Sequence, residues 1–345
     1  MADRVDRGTA SAVGAAPRRR AGWRAPGGGT AKRTRERSAW TRGRVIAGLA
    51  AVTAGLLAFH RTVPNSVGRV GSLLESFLPW LGLVVVALLG LALLRRSATA
   101  LVALLLPVAA WTYLFGGLVL PGDGPGTRDL VVVQHNVSDE NPDPAGTARA
   151  LADARPDLIA LQELVPGALP VYERTLAARY PYHAVRGTVG LWSRYPLTGA
   201  RLLDIRPRGV TDAWNRGLRT VVRTPYGDVA AFVAHLPSVR VRASGLESSL
   251  RDESAGLLGE AVAAEDLRTV ILLGDLNGTV DDRGLAPITS RMNAAERGFA
   301  FSFPAAFPLA RIDQVMARSA TVVRIRALPA TGSDHLPVAA RIALG

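Results

Sequence analysis

Eight polar side chains that could do chemistry occur where short apolar runs of this 345-residue sequence begin or end. Taken singly, each has an ordinary structural interpretation: Asp275 in "GDLNG" suits a turn, and His235 suits a buried structural role. Polar groups at the ends of several strands nevertheless often converge on one site. We therefore interpret the set as a single candidate site. Its members are Asn136, Glu163, His235, Asp275, Asn277, Asp313, Asp334 and His335.

The side-chain types in this set indicate metal-assisted attack of water on a phosphorus centre. Carboxylate and amide oxygens suit Mg²⁺, with Mn²⁺ as the alternative, and two histidines suit proton transfer near neutral pH. A metal would polarise a phosphoryl oxygen while the side chains move protons. The chain has no cysteine, which excludes thiolate metal sites and cysteine nucleophiles.

The elements that must position these residues lie in the C-terminal part of the chain. From Asp129 onward, short β-branched runs alternate with stretches at 146–154, 168–179 and 244–265 that have helical character. Strands that alternate with helices predict an α/β class. An apolar, proline-rich loop, "FSFPAAFPLA" at 301–310, precedes Asp313. It suits core packing by default, or a lip that meets a membrane or a lipid tail.

The N-terminal part contains three apolar segments, Val45–Phe59, Phe77–Leu94 and Ala98–Leu120. A membrane-spanning helix needs about 20 predominantly apolar residues, so the pattern predicts three transmembrane helices within 43–120. A buried helical hairpin in a soluble protein and a cleaved signal peptide both fit less well, because three such segments follow one another closely.

Basic residues predict the orientation of these helices. Twelve precede the first segment, and Arg95 and Arg96 lie between the second and third, whereas the loop between the first and second holds Arg61 and Arg69. The positive-inside rule places the tail in the cytoplasm and everything after Leu120 outside. Residues 1–42 have the composition of a disordered basic tail, and 121–128 that of a Pro/Gly linker.

The formal net charge of +13 lies almost entirely in the N-terminal part, and residues 127–345 are close to neutral. A nucleic-acid-binding domain more often carries a basic surface itself. The charge therefore disfavours nucleic acid as the main partner.

The order of "LQE", "SRYPL", "GDLN", "RIDQV" and "SDHLPV" resembles the endonuclease/exonuclease/phosphatase superfamily, the fold of pancreatic-type DNase. The resemblance covers 129–345. It implies a four-layer α/β sandwich, DNase I-like, with the site at one edge of two packed sheets. The three transmembrane helices predicted from the apolar segments precede this domain.

The resemblance also implies roles for the candidate residues. Glu163 would be the principal Mg²⁺ ligand with Asn136 beside it, and Asp334 would help to hold metal or water. Asp275 would bind or orient the attacking water, and Asn277 would hold the phosphate. The remaining three residues would take part in proton transfer. His335 would contact the phosphate as acid or base, and Asp313 would fix the tautomer of His335. His235 would correspond to the second histidine present in the DNase branch of the superfamily.

The layout of three spans followed by an extracytoplasmic catalytic domain resembles the VanJ-type membrane proteins of actinomycetes, which are linked to teicoplanin resistance. This resemblance implies a lipid-linked phosphate or pyrophosphate at the outer membrane face as the substrate. Two alternatives stay open. One is a tethered extracellular nuclease, for which Arg240 and Arg242 could grip phosphates; the other is an inactive membrane scaffold.

Overall fold

The protein is described by a computed structural model over residues 43–120, 126, 128–211 and 214–345. The predicted tail, 1–42, and most of the predicted linker, 121–128, lie outside the described residues. The remaining domain boundaries stay predictions.

Four helices form the N-terminal part: α1 (Arg44–Phe59), α2 (Val70–Ser76), α3 (Leu81–Leu94) and α4 (Ala98–Val119). Two stretches in this part are long and apolar enough to cross a membrane, Arg44–Thr62 and Ala98–Val119.

The second predicted span, Phe77–Leu94, coincides with the helical stretch Leu78–Leu94, and a bend precedes it. The chain breaks at Phe77, and α2 makes an angle of 64° with the helical stretch Leu78–Leu94. Pro79 lies directly after the break, and a proline lacks the backbone N–H that a continuous helix would need there. The described residues therefore contain two candidate spans, or three if the bent pair is one span.

The C-terminal part of the chain, from Asp129 onward, contains two large mixed sheets. The first has the strand order β12 (Ala320–Ala327), β13 (Val338–Leu344), β1 (Asp129–Asn136), β2 (Leu158–Gln162), β4 (Val189–Ser193) and β3 (Tyr182–Arg186). The second has the order β11 (Asp313–Arg318), β10 (Val270–Asp275), β7 (Gly227–His235), β6 (Gly217–Thr224) and β5 (Leu197–Leu202). A hairpin joins β8 (Arg240–Arg242) to β9 (Gly245–Glu247).

The two sheets pack face to face, and helices cover their outer faces. Alternate residues such as Val132 of β1 and Leu273 of β10 are fully buried between the sheets, as the two-residue period of a strand requires. The outer face of the first sheet packs on α5 (Pro144–Asp153) and α6 (Leu169–Leu176). The outer face of the second packs on α7 (Ser249–Ala263) and α8 (Ala286–Thr289). This gives the expected order of helix, sheet, sheet and helix.

The N-terminal helices contact the C-terminal part through buried polar groups. Glu75 of α2 is fully buried, and its carboxylate accepts two hydrogen bonds from the Arg283 guanidinium, at 2.8 and 2.9 Å. His60 Nδ1 lies 3.1 Å from the same carboxylate. In a second contact, the Trp80 indole N–H donates to the Leu309 carbonyl at 2.7 Å. These contacts fix the helices against the turn before α8, which contains Arg283, and against the loop 301–310 before β11.

Candidate active site at the strand ends

Strand register brings three of the candidate residues side by side. Asp275, the last residue of β10, pairs with His235 at the end of β7 on one side and with Asp313 at the start of β11 on the other. In the first sheet, Asn136 ends β1 and is paired with Gln162, which precedes Glu163. Parallel strands end at the same edge, which is why polar groups separated by over 170 residues meet there.

A buried Asp–His pair forms one half of the site. His335 Nδ1 lies 2.8 Å from Asp313 Oδ2, and the Gln134 amide donates to Asp313 Oδ1 at 2.7 Å. Burial alone would lower the pKa of His335. The Asp313 charge and hydrogen bond, with Asp275 and Asp334, outweigh it and raise the pKa to about 10. His335 therefore carries a positive charge at neutral pH.

The serine of "SDH" holds this histidine in place. Ser333 Oγ donates to the carbonyl of Asn136 at 2.7 Å and accepts the backbone N–H of His335 at 3.1 Å. Ser333 thereby ties the loop before β13 to the end of β1.

The other half of the site consists of two carboxylates that converge on one amide. Asn136 Nδ2 donates to Glu163 Oε1 at 3.0 Å and to Asp275 Oδ2 at 3.1 Å. Glu163 has a φ of 61°, in the left-handed region that non-glycine residues rarely adopt. The Asp139 backbone N–H donates to Glu163 Oε2 at 3.2 Å. Backbone strain of this kind is concentrated at functional sites.

His235 lies next to these carboxylates but in a different electrostatic setting from His335. Its Nε2 is 3.7 Å from both Glu163 Oε1 and Asp275 Oδ2, and neither ring nitrogen has a hydrogen-bond partner among the described residues. Burial, with the Arg216 and His335 charges, lowers the pKa of His235 to about 3. This histidine is neutral at physiological pH.

Asp275 lies at the centre of the cluster. Its Oδ1 accepts the Asn277 backbone N–H at 2.9 Å, and its Oδ2 is 3.8 Å from His335 Nε2. Burial and the neighbouring Asp313 carboxylate raise the pKa of Asp275, against the opposing effect of His335 and the two donors. A raised pKa favours a carboxylate that accepts a proton during a reaction at neutral pH.

Two predicted residues lie further from the centre of the cluster. The Asn277 side chain donates to the Leu236 carbonyl at 2.9 Å, so in this structure it holds its own loop. Asp334 is exposed and influences His335 through its charge, while its backbone carbonyl accepts the Ala305 N–H at 2.7 Å. The roles of both residues stay predictions.

The chemistry of the side chains fits a divalent cation beside Glu163. Carboxylate and amide oxygens are hard ligands suited to Mg²⁺. In this structure the Asn136 amide hydrogens point at the Glu163 and Asp275 carboxylates and its oxygen accepts the Ser138 N–H, so Asn136 would offer its oxygen to an ion after rotation of its amide. Asp275, Asp313 and His335 also offer ligand atoms within 4.8 Å of one another. Because Asp313 already pairs with a charged imidazole and with Gln134, we assign that cluster to proton transfer.

Sequence reasoning did not assign two residues that the structure brings to the site. Gln134 is completely buried and bonds to Asp313; its position two residues before Asn136 on the same face of β1 is the signal that could have identified it. Burial lowers the pKa of Arg216, and the negative charges of Glu163, Asp275 and Asp139 oppose that effect. Arg216 directly precedes β6, which is antiparallel to β7, so it lies beside the end of β7.

His135, between Gln134 and Asn136 in β1, points away from the site. Its Nε2 lies 2.8 Å from the Thr331 hydroxyl, on the opposite face of β1 from Gln134 and Asn136. Burial lowers the pKa of His135 to about 3, so this neutral histidine is part of the support of the site.

Comparison with known families gives a match over most of this part of the chain. The model of the Endonuclease/Exonuclease/phosphatase family matches residues 133–335, a range that includes all eight candidate residues. No curated protein sequence matches the chain closely enough to count as a relative.

Solved structures share the fold at low sequence identity. An endonuclease/exonuclease/phosphatase from Beutenbergia cavernae is 21% identical, with a TM-score of 0.51 over 63% of this chain and 72% of that one. A Staphylococcus aureus beta toxin mutant with bound magnesium ions is 14% identical, with a TM-score of 0.51 over 63% and 100%. D. rerio TDP2 complexed with a single-strand DNA product is 17% identical, with a TM-score of 0.51 over 62% and 98%.

Proposed function

This chain belongs to the endonuclease/exonuclease/phosphatase family, and we propose that it is a membrane-anchored, Mg²⁺-dependent phosphoesterase that acts on a lipid-linked phosphate or pyrophosphate. Members of the family are generally metal-dependent hydrolases of phosphoester bonds. The observation that carries the proposal is the position of Asp275, between a neutral His235 and a charged His335.

The reaction we propose is attack of water on phosphorus with loss of the ester or anhydride oxygen. Asp275, whose pKa is raised by burial, accepts a proton from the attacking water as the new P–O bond forms. His335, charged through Asp313, donates a hydrogen bond to a phosphoryl oxygen and supplies the proton that the leaving oxygen takes up as the old P–O bond breaks. Arg216 adds positive charge at the same edge.

Glu163 and Asn136 are the residues that would hold the metal, with Asp334 as a further ligand, and Mn²⁺ is the alternative to Mg²⁺. When bound, the ion polarises a phosphoryl oxygen and takes up negative charge that develops on it. Asp139 supports the site through its backbone N–H, which orients the Glu163 carboxylate. His235 is neutral and lies beside the Glu163 carboxylate, where it can donate one hydrogen bond to a phosphate or accept one from a water.

The lipid-linked substrate class is supported by the contact between the site loop and the N-terminal helices. The loop that ends at Asp313 receives the Trp80 hydrogen bond through Leu309, and the Trp80 ring stacks on Phe301 at 5.2 Å. One of the two stretches that are apolar enough to span a membrane, Ala98–Val119, lies beside Phe301 of this loop. A catalytic domain tethered at the bilayer meets a lipid substrate at a raised effective concentration.

Substrate class is tested with full-length protein in detergent, by measuring Mg²⁺-dependent phosphate release from undecaprenyl pyrophosphate and nicking of plasmid DNA side by side. We expect phosphate release that is lost in His335→Ala, with intact DNA. Nicking that is lost in the same variant, without lipid turnover, would replace the proposal with a tethered nuclease. Inactivity on both substrates would favour an inactive scaffold.

A nuclease is the second candidate. One solved structure with the same fold, D. rerio TDP2, is complexed with a single-strand DNA product. In this chain, Arg240 is an exposed cation on the β8–β9 hairpin. Arg242 in the same hairpin is paired with Glu247 at 2.8 Å, which reduces its availability for a phosphate. The near-neutral charge of residues 127–345 gives nucleic acid less electrostatic attraction than a basic surface would.

We further propose that the catalytic part lies outside the cytoplasm and that the activity contributes to teicoplanin resistance. The chain contains no cysteine, so one introduced thiol reports its own location. In intact cells, a membrane-impermeant maleimide should label Asp228→Cys in the catalytic part and spare Arg95→Cys in the turn between α3 and α4. Labelling of Arg95→Cys without labelling of Asp228→Cys would show that the catalytic part lies in the cytoplasm. Expression in a susceptible strain should raise teicoplanin resistance, and His335→Ala should not.

A further inference from the structure

An apolar cavity of about 370 Å³ lies where α3 and α4 meet the catalytic part. Its walls include Trp80 and Val86 on one side, Val108 and Trp111 of α4 on the other, and Phe301 of the loop before β11. None of the eight candidate site residues lines it. Its volume falls within the range of roughly 300–1,000 Å³ in which small-molecule ligands bind.

The chemistry of the walls suits a hydrocarbon. Both indole N–H groups are already bonded to backbone carbonyls: Trp80 donates to Leu309 at 2.7 Å and Trp111 donates to Pro79 at 2.8 Å. Apart from Thr112, every lining side chain is apolar or one of these indoles. A polar ligand would lose its hydration here without gaining hydrogen bonds in return.

The cavity communicates with the outer surface of the helices. Val86 and Val108, which line it from opposite sides, are 64% and 44% exposed. Leu83, another wall residue, is 61% exposed. These side chains continue into the apolar surface of two helices that we propose to place in a bilayer, so a chain could enter sideways from lipid.

An aromatic path connects the cavity to the catalytic histidine. The Phe301 ring stacks on Trp80 at 5.2 Å, and the Phe303 ring lies 4.8 Å from the His335 ring. Phe301 and Phe303 are two residues apart, and two residues span at most about 7 Å of extended chain. The wall of the cavity at Phe301 is therefore close to the contact between Phe303 and His335. The Leu336 backbone N–H also donates to the Ser302 carbonyl at 2.8 Å, which fixes this loop to the one that carries His335.

We propose that this cavity binds the hydrocarbon chain of the substrate, a linear polyprenyl or alkyl phosphate, while the phosphate binds at His335. The inference rests on the proposed function and deepens it by assigning a chain-binding subsite to Trp80, Val86, Val108, Trp111 and Phe301. It predicts that the enzyme distinguishes phosphates by chain length through residues of the N-terminal helices.

The kinetic test uses full-length protein in phosphatidylcholine nanodiscs and two phosphates with the same allylic head, dimethylallyl phosphate and farnesyl phosphate. The double variant Val86→Phe/Val108→Phe narrows the cavity. The control Val84→Phe/Val102→Phe places the same side chains on the same helices at exposed positions that do not line it. The measured quantity is kcat/KM for farnesyl phosphate divided by kcat/KM for dimethylallyl phosphate.

We expect the narrowing variant to lower this ratio at least about tenfold, since even one methylene in an apolar pocket is worth about that factor or more, and the control to leave it unchanged. An equal ratio in the wild type and the narrowing variant would overturn the inference. Hydrolysis of neither phosphate by the wild type would defeat the proposed function, and the cavity is then tested by binding alone.

The binding test measures quenching of tryptophan fluorescence by dodecyl phosphate brominated at its terminal carbon, because Trp80 and Trp111 line the cavity. Saturable quenching that is lost in Val86→Phe/Val108→Phe and kept in the control supports the subsite. Absence of saturable quenching overturns it. Equal quenching by terminally brominated dodecanol would assign the cavity to a bilayer lipid tail and not to a phosphate-bearing substrate, which also overturns the inference.

Discussion

The two histidines of the site are both buried near strand ends, yet their surroundings make His335 a cation and leave His235 neutral at pH 7. His335, in the loop before β13, faces Asp313 at 2.8 Å, and its pKa is raised to about 10. His235, at the end of β7, has carboxylates no closer than 3.7 Å and a pKa lowered to about 3. Burial by itself favours the neutral imidazole. A carboxylate within hydrogen-bond distance therefore decides which histidine is protonated and can donate a proton.

The largest effect should separate the two histidines in catalysis. We expect His335→Ala to lower kcat at least about 10³-fold, because it removes both the proton donor and the cation that faces the phosphate. His235→Asn should lower it only about tenfold, because a neutral hydrogen-bonding side chain remains. Initial rates of phosphate release give both values, and a larger loss in His235→Asn would reverse the assignment.

Removal of the carboxylate should make His335 resemble His235. We expect Asp313→Asn to lower activity about 10²-fold and to change its pH dependence. Without the Asp313 charge the pKa of His335 falls from about 10 toward or below the usual value of about 6.5, so activity should decline well below the pH at which the wild type declines. The exposed Asp228→Asn serves as the control, and an unchanged pH profile in Asp313→Asn would contradict the account.

The metal should belong to the half of the site that contains Glu163. Chelation with EDTA should abolish activity, and added Mg²⁺ should restore it. Glu163→Gln should raise the Mg²⁺ concentration for half-maximal activity by about 10–100-fold, since it removes the charge of one proposed ligand. Asp313→Asn should leave that concentration close to the wild-type value; a larger shift in Asp313→Asn than in Glu163→Gln would move the metal to the other cluster.

The smallest effects should be seen in the pH dependence of stability, measured by thermal unfolding in EDTA. The folded-state pKa of His335 is raised. Its contribution to the free energy of unfolding is therefore complete below about pH 6.5 and is lost as pH rises toward about 10. The folded-state pKa of His235 is lowered. Its contribution to the free energy of unfolding is therefore complete above about pH 6.5 and is lost as pH falls toward about 3. His335→Gln should therefore lower the unfolding temperature more at pH 6 than at pH 10.

The unfolding temperature of His235→Gln, relative to that of the wild type, should be higher at pH 4 than at pH 8, because the wild type is destabilised in acid when His235 must be protonated. If the unfolding temperatures of the two variants changed with pH in parallel, the assignment of a charged His335 and a neutral His235 would be contradicted.

The position of the candidate residues at one edge of the sheets could be predicted because strand ends are local features. The apolar runs before Asn136, Glu163 and Asp275 identify where each strand stops, and parallel pairing brings such ends to one edge. The family motifs added His335 and Asp313. Gln134 was missed because a buried amide looks like any polar residue in a strand until its partner, 179 residues away, is known.

The N-terminal part was predicted less completely. The composition of Phe77–Leu94 is apolar throughout, and hydropathy alone does not detect that the chain bends by 64° between Ser76 and Leu78. The contact of Trp80 with Leu309 joins residues 229 positions apart, and no local pattern encodes such a pairing. Loop 301–310 was expected to be either core packing or a lip toward the membrane; it packs on Trp80 and so contacts the apolar helices.

The central claim is that His335 is charged while His235 is neutral, and ¹⁵N NMR of histidine-labelled full-length protein at pH 8 in EDTA tests it most directly. The signals are assigned by their loss in His335→Ala and His235→Asn. The account predicts that the signal lost in His335→Ala is that of a doubly protonated imidazolium, and that the signal lost in His235→Asn is that of a neutral ring. Two neutral rings, or a charged His235, would contradict it.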